Sequence, residues 1–137
     1  MANELTEFVW FNEETVEAPV TKPYPQVRQE ALAQRGLASP GEMPAKLKSL
    51  YKFWSGMLVR HFNANVYDEF RSLSLEDAPH DHYGLQCLLN FYKKLFDGNT
   101  EKPWLAGRSL PEIFQLHYQQ AFNSDQQPGL AAEPKAI

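Results

Sequence analysis

The fold of this chain is decided by the stretch LKSLYKFWSGMLVRHFNANVYDEFRSLSLEDAPHDHYGLQCLLNFYKKLFD, residues 47–97. It contains most of the aromatic residues and the single cysteine. Apolar side chains recur in it at intervals of three and four residues, which is typical of helices, and no strand-like alternation occurs. The pattern therefore predicts three consecutive helices, with Asn63 as the N-cap residue in a very short turn between the first two.

Outside this stretch, proline and glycine positions predict one further helix on each side. The five predicted helices are Tyr24–Gly36, Pro44–Phe62, Ala64–Ala78, His82–Asp97 and one that starts in the capping-box pattern Ser109–Glu112. The fourth helix is apolar over roughly 200° of its circumference, so it should be covered on more than one side. We therefore predict an all-α fold made of tandem helix–turn–helix repeats, in which neighbouring hairpins bury each other's apolar faces.

The sequence predicts three regions along the chain. Residues 1–21 form an acidic lead-in that contains the apolar knot FVWF, residues 8–11. This knot is interpreted either as an edge segment docked on the domain or as a cloning remnant. Residues 22–123 form the helical repeat domain, and residues 124–137 are predicted to be a disordered tail, because they are polar and contain proline and glycine.

Composition narrows the class of protein. No apolar run approaches the ~18 residues that a membrane span needs, and no secretory leader is recognisable. A single cysteine, Cys87, cannot form an internal disulfide or a cysteine-based zinc site, and it falls on the apolar arc of the fourth helix. We expect a cytoplasmic protein without membrane association, in which Cys87 is a buried packing residue.

Basic residues are concentrated in one part of a chain whose net charge is −4. Residues 22–62 carry seven basic and two acidic side chains, and the second predicted helix presents a basic stripe interrupted by Gly56. A second polar group lies on the fourth helix. The candidate RNA-binding residues are Lys48, Lys52 and Arg60 on the stripe and Asn90, Lys93, Lys94 and Asp97 in the second group. These side chains could contact phosphates, or they could simply form a solvated surface. Gly56 allows either a ligand or a packed helix to approach closely.

The sequence does not predict catalysis. It lacks nucleophile-elbow, P-loop and dinucleotide-binding motifs, so we expect no enzyme, no catalytic residues and no cofactor. His80-Asp81-His82 offers two potential metal ligands without a third, and we interpret this segment as a polar loop with an N-capping Asp rather than as a metal site.

The stretch LYKFWSGMLVRHFNANVYDEFRSLSLEDA, followed by YGLQCLLNFY, closely resembles the C-terminal helical repeat region of the La-related protein 1 family, known as DM-15 repeats. The resemblance covers about Tyr24 to Asp97 and, more loosely, the fifth helix. It implies HEAT-like tandem repeats, of which the third would be incomplete here. It also implies binding of the 7-methylguanosine cap and the adjacent pyrimidine-rich 5′ end of messenger RNAs, in the control of translation and of message stability.

The resemblance assigns roles to individual positions and also shows where this chain differs. Lys52 stands where the family has a basic residue of the cap site, and Asp97 stands where it has a Glu that reads the guanine edge. Gly56 and Lys94 replace aromatic residues of the cap pocket, and Asn90 replaces an Arg. We therefore predict a divergent RNA-binding module with altered or absent cap specificity. The alternative is a protein-interaction scaffold without RNA specificity of its own.

Overall fold

A computed structural model describes residues 7–10, 20–39 and 41–126. Five α-helices account for most of these residues: α1 Tyr24–Leu37, α2 Ala45–Arg60, α3 Ala64–Asp77, α4 Tyr83–Phe96 and α5 Ile113–Gln126. A short 3-10 helix, Pro103–Leu105, lies between α4 and α5. The predicted helical fold with five helices is confirmed, and α1 to α4 agree with the predicted boundaries to within about two residues.

Two short strands near the start of the chain were not predicted. Strand β1, Glu7–Trp10, pairs antiparallel with β2, Val20–Pro23, so that Glu7 lies opposite Pro23 and Trp10 opposite Val20. Neither strand sequence, EFVW or VTKP, alternates polar and apolar residues, so periodicity gives no strand signal here. Most of the FVWF knot therefore lies in a strand.

The boundaries of the fifth helix differ from the prediction. The backbone carbonyl of Glu112 accepts hydrogen bonds from Gln115 N at 3.0 Å and Leu116 N at 3.4 Å, so α5 begins at Ile113 rather than inside the Ser109–Glu112 pattern. At its other end α5 continues to Gln126, three residues into the segment predicted to be a disordered tail. The rest of that segment, 127–137, lies outside the described residues.

The chain divides into two compact units, Met1–Leu50 and Tyr51–Ile137, with the division inside α2. In the first unit, α1 buries Tyr24, Val27 and Ala31, which recur at helical spacing. Lys46 and Glu30 form an ion pair at 3.0 Å that joins the start of α2 to α1. Both side chains are about one-third exposed, so we expect this pair to add little stability.

The second unit is built around a chain of buried aromatic rings. Trp54 on α2 packs against Phe70 on α3 with ring centroids 5.5 Å apart, and Phe70 packs against Phe91 on α4 at 6.0 Å. None of these three side chains is exposed to solvent. Such aromatic pairs contribute roughly 0.5–1.5 kcal/mol each beyond the burial of their area. The aromatic chain therefore ties α2, α3 and α4 together at their centres.

Contacts at the helix ends define the directions of the helices in this unit. The Tyr51 hydroxyl donates to Asp77 Oδ2 at 2.6 Å, at the end of α3, and the Tyr51 ring lies against Gly84, at the start of α4. At the other end of α2, Trp104 Nε1 donates to the carbonyl of Val59 at 2.7 Å. Because Trp104 follows α4, helices α2 and α4 run in the same direction and α3 runs opposite to them.

Helix α5 packs across α3 and α4. Near its start, the Phe114 ring lies 5.4 Å from that of Tyr67, and near its end Asp125 accepts from Gln86 Nε2 at 3.0 Å. It therefore runs antiparallel to α4, as expected for helical hairpins in a repeat. Among the described residues, no helix combines the length and the apolar character that a membrane span requires.

Two glycines inside helices have opposite surroundings and allow a matched test. A Cβ at Gly84 would lie 2.6 Å from Tyr51 Cζ, whereas a Cβ at Gly56 would meet no atom within 4 Å. We expect Gly84→Ala to lower the free energy of unfolding by about 1–3 kcal/mol, because the buried Tyr51 ring must move. Gly56→Ala should raise it by about 0.5–1 kcal/mol, through helix propensity alone. Urea unfolding of the two variants measures both changes, and a change of the same sign in both would contradict this account.

Candidate nucleic-acid interface

The basic stripe on α2 is exposed along its length. Lys48, in the first unit, is exposed, and so are Lys52, Gly56 and Arg60 in the second. The open space around Gly56 contradicts the alternative that this glycine marks tight helix packing, and it leaves bare backbone between Lys52 and Arg60. Arg60 Nη2 lies 3.7 Å from Glu101 Oε1, but both side chains are more than 60% exposed, so this ion pair is weak.

The second predicted group occupies the narrow exposed face of α4. Asn90, Lys93 and Lys94 are all exposed, and within the described part of the chain their side chains make no hydrogen bond or ion pair. Both lysines lie in the last turn of the helix, where the carbonyl ends favour positive charge. The helix end therefore explains the two lysines without any ligand. Their ammonium groups are nevertheless exposed and accessible to anions in solution.

Asp97, directly after α4, already has a structural role. Its Oδ1 accepts from the backbone N–H of Asn99 at 2.9 Å, and its Oδ2 accepts from the Thr100 hydroxyl at 3.3 Å. Lys102 Nζ donates to the carbonyls of Asp97 at 2.9 Å and Thr100 at 2.8 Å. The carboxylate therefore stabilises the loop that ends α4. Each of its oxygens retains a further lone pair for a ligand.

The structure brings only part of the predicted group together. Arg60 and Asp97 end α2 and α4, and the loop that contains Glu101 joins them. Lys93 and Lys94 lie about one turn before Asp97. The exposed large apolar side chains of the described residues are Leu37, Ile113, Leu116 and Phe122. Since none of them belongs to α2 or α4, these two polar faces have no fully exposed ring on which a base could stack.

The loop that contains His80, Asp81 and His82 has the polar character that was predicted. Asp81 Oδ1 accepts from the backbone N–H of Tyr83 at 2.8 Å, and His82 Nδ1 lies 3.5 Å from Asp125 Oδ1. The N-cap residue of α4 is His82 rather than Asp81, so the predicted capping role of Asp81 is replaced by this local turn. Among residues 7–10, 20–39 and 41–126, no group of three or more potential ligands is arranged to hold a metal. Cys87 is buried, as expected.

A polar cluster between α3, α4 and α5 was not predicted. The Tyr67 hydroxyl lies 2.6 Å from the Tyr92 hydroxyl and 2.8 Å from His117 Nδ1. Arg71, one turn after Tyr67, donates through Nη2 to Gln120 Oε1. Tyrosine and histidine at helical spacing look like ordinary packing residues in the sequence. A signal was present only in Tyr92 and His117, which fall on the apolar sides of their predicted helices while carrying polar ends.

One tautomer of His117 satisfies all the hydrogen bonds of this cluster. Every hydroxyl hydrogen finds an acceptor if Tyr92 donates to Tyr67 and Tyr67 donates to His117 Nδ1. The imidazole is then neutral and carries its hydrogen on Nε2. Burial lowers the pKa of His117, and the positive charge of Arg71 lowers it further, whereas the Asp68 carboxylate acts in the opposite direction. Burial, followed by the hydrogen bond with Tyr92, raises the pKa of Tyr67, and burial also raises the pKa of Tyr92, so both hydroxyls stay protonated.

The lowered pKa of His117 predicts how stability depends on pH. An unfolded histidine has a pKa near 6.5, so the unfolded chain takes up the proton first as the pH falls. The free energy of unfolding should therefore be highest above about pH 6.5 and should decrease as the pH falls through the lowered pKa. Urea unfolding between about pH 7.5 and 5 measures this. His117→Gln should remove this component, and His61→Gln, at an exposed histidine outside the cluster, should retain it. An unchanged pH profile in His117→Gln would contradict the assignment.

Comparison with known proteins agrees with the fold and the sequence pattern. The family model of the LARP1 HEAT repeat region matches residues 12–124, which include α1 to α4 and nearly all of α5. No solved structure matches the chain. A match over this much of the chain establishes the family. The chain belongs to the LARP1 HEAT repeat family.

Proposed function

We propose that this chain is a non-catalytic RNA-binding module that contacts the 5′ ends of messenger RNAs, including pyrimidine-rich ones, and acts in translation regulation and message stability in the cytoplasm. Membership of the LARP1 HEAT repeat family supports a module of this kind. The single observation that carries the proposal is the exposed last turn of α4, where Lys93 and Lys94 make no ion pair within the described residues.

The proposed contacts are mainly to phosphates. Lysine and arginine bind phosphates without reading sequence, and their affinity falls steeply with salt because bound counterions are released. Lys93 and Lys94 on α4, with Lys52 and Arg60 on α2, place cations along two helices that run in the same direction. The backbone at Gly56 is open enough for a nucleotide to approach α2 closely. Asn90 adds an amide that can donate to, or accept from, a base or a sugar.

Recognition of the cap is proposed to be weak or absent. A 7-methylguanine base is positively charged and is held by stacking against aromatic rings. Gly56 and Lys94 offer no ring, and Lys94 adds a like charge. Asp97 keeps a carboxylate that could accept from a guanine edge, but it is already engaged in the loop that follows α4. Its proposed contribution is therefore mainly to hold the end of α4 in place.

Removing the two lysines of α4 tests the phosphate contacts. We expect Lys93→Gln with Lys94→Gln to weaken binding of an uncapped pyrimidine-rich RNA by roughly tenfold and to reduce the salt slope by about 2, one for each lost phosphate contact. Fluorescence titrations at several salt concentrations measure both quantities. The matched control is Ser109→Glu with Gln115→Glu, which changes the net charge equally at exposed positions of the loop before α5 and of α5 itself. Equal losses in the two double variants would show that only net charge matters.

Capped and uncapped RNA oligomers test whether binding depends on the cap or only on phosphate contacts. The wild-type chain should bind capped and uncapped oligomers of one sequence with dissociation constants within about threefold of each other, since no exposed ring lies beside the basic residues in the described part of the chain. Lys94→Tyr should shift the preference toward the capped oligomer. The substitution removes a positive charge that repels the cationic cap base and adds an aromatic ring on which that base can stack. A wild-type preference for the cap of more than about tenfold would contradict the proposal.

The alternative function, a protein-interaction module, has one observation in its favour. Ile113, Leu116 and Phe122 are exposed apolar side chains on α5, with exposed fractions of 47%, 53% and 38%. Ile113 and Leu116 are three residues apart and so lie on one side of α5, and contiguous exposed apolar surface commonly contacts protein partners. If neither capped nor uncapped RNA binds even at low salt, the RNA-binding proposal fails and protein interaction becomes the better proposal for the function of this chain.

A further inference from the structure

The guanidinium group of Arg71 lies half-buried between α3 and α5. Its Nε atom is buried and makes no hydrogen bond, and its Nη2 donates to the neutral oxygen of Gln120. Within the part of the chain that the structure describes, no carboxylate forms an ion pair with it. A cation removed from water is usually compensated by an anion, because burying an unpaired charge is costly. Among the described residues, the partners of Arg71 are the neutral side chains of Gln120 and Tyr92, so its charge is not compensated by an anion.

Two further hydrogen-bond donors lie beside Arg71 on α5. His117 accepts from Tyr67 through Nδ1, which leaves the hydrogen of the neutral imidazole on Nε2, away from Tyr67. Gln120 uses its amide oxygen to accept from Arg71, so its amide nitrogen keeps two hydrogens. His117 and Gln120 are three residues apart and so lie on the same side of α5. Neither the Nε2 atom of His117 nor the amide nitrogen of Gln120 has a partner among the described residues.

We propose that Arg71, His117 and Gln120 form a binding site for one oxyanion, a phosphate or a carboxylate group, at the junction of α3 and α5. The guanidinium supplies the positive charge, and the imidazole and amide N–H groups supply neutral donors. Asp68 lies exposed one turn before Arg71 and is the acidic group that acts on His117. It reduces the local positive charge, so the site favours a single anionic group over a highly charged polymer.

This site is separate from the proposed RNA-binding surface. Its residues lie on α3 and α5, whereas Lys93 and Lys94 lie on α4 and Lys52 and Arg60 lie on α2. It can therefore exist whether or not the chain binds RNA. The Lys93→Gln with Lys94→Gln variant should retain anion binding at the junction, so failure of one proposal can be distinguished from failure of the other.

Thermal unfolding with inorganic phosphate tests the site directly. At pH 7.5 and matched ionic strength, replacing chloride by phosphate at about ten times the Kd should raise the Tm of the wild-type chain by roughly 5 °C. Acetate in place of phosphate tells whether a carboxylate is also accepted, and an RNA oligomer tells whether a polymer phosphate can reach the site. NMR should show phosphate shifting the side-chain signals of His117 and Gln120. No rise in Tm with phosphate or acetate, beyond that of chloride, would overturn the proposal.

Gln120→Glu provides the decisive variant. Its carboxylate would occupy the position of the anion beside Arg71, so its Tm in chloride should rise above that of the wild type, and added phosphate should have no further effect. Gln119→Glu introduces the same charge on the neighbouring exposed residue and should keep the full phosphate response. If both variants respond to phosphate as the wild type does, the anion binds elsewhere and the proposal is wrong.

Discussion

The packing of Trp54 against Phe70, and of Phe70 against Phe91, is the contact on which the second unit depends. It joins the middles of α2, α3 and α4, whereas the hydrogen bonds of Tyr51 with Asp77 and of Trp104 with Val59 lie nearer to the helix ends. Three fully buried rings also leave little freedom in how the helices can rotate about their axes, since protein cores are closely packed. The orientation of the exposed faces of α2 and α4 is therefore set by side chains buried in the core.

The wide burial of α4 has a direct consequence for what the surface can bind. Because α2, α3 and α5 all contact α4, only a narrow strip that includes Asn90, Lys93 and Lys94 reaches solvent. A narrow strip on a rigid helix suits a linear polyanion, whose charges repeat along one direction. It does not by itself form the enclosed, ring-lined pocket that a cationic base requires. For the RNA binding proposed above, this packing favours contacts to the phosphate backbone over recognition of a base.

The sequence predicted the helices well because their apolar spacing, their proline and glycine boundaries and the Asn63 cap are local signals. Asn63 Oδ1 accepts from Val66 N at 3.1 Å, as a cap residue should. Long-range features were harder to predict. The Tyr51 ring lies close to Gly84, which is 33 positions further along the chain. A glycine has no side chain that would mark it in the sequence as part of an apolar helix face. The engagement of Asp97 in its own loop was also hidden, because an acidic residue after a helix has the same pattern whether it caps a turn or faces a ligand.

The candidate site was predictable as a set of exposed residues but not as a binding geometry. Exposure follows from helical periodicity, and all seven predicted residues are indeed exposed. Convergence depends on how helices pack, and the structure joins only Arg60 and Asp97 through a shared loop. The cluster of Tyr67, Tyr92 and His117 shows the opposite case, in which residues from three helices converge although each looks like packing in the sequence. Periodicity therefore identifies which side of a helix is polar, whereas only tertiary packing decides which polar groups act together.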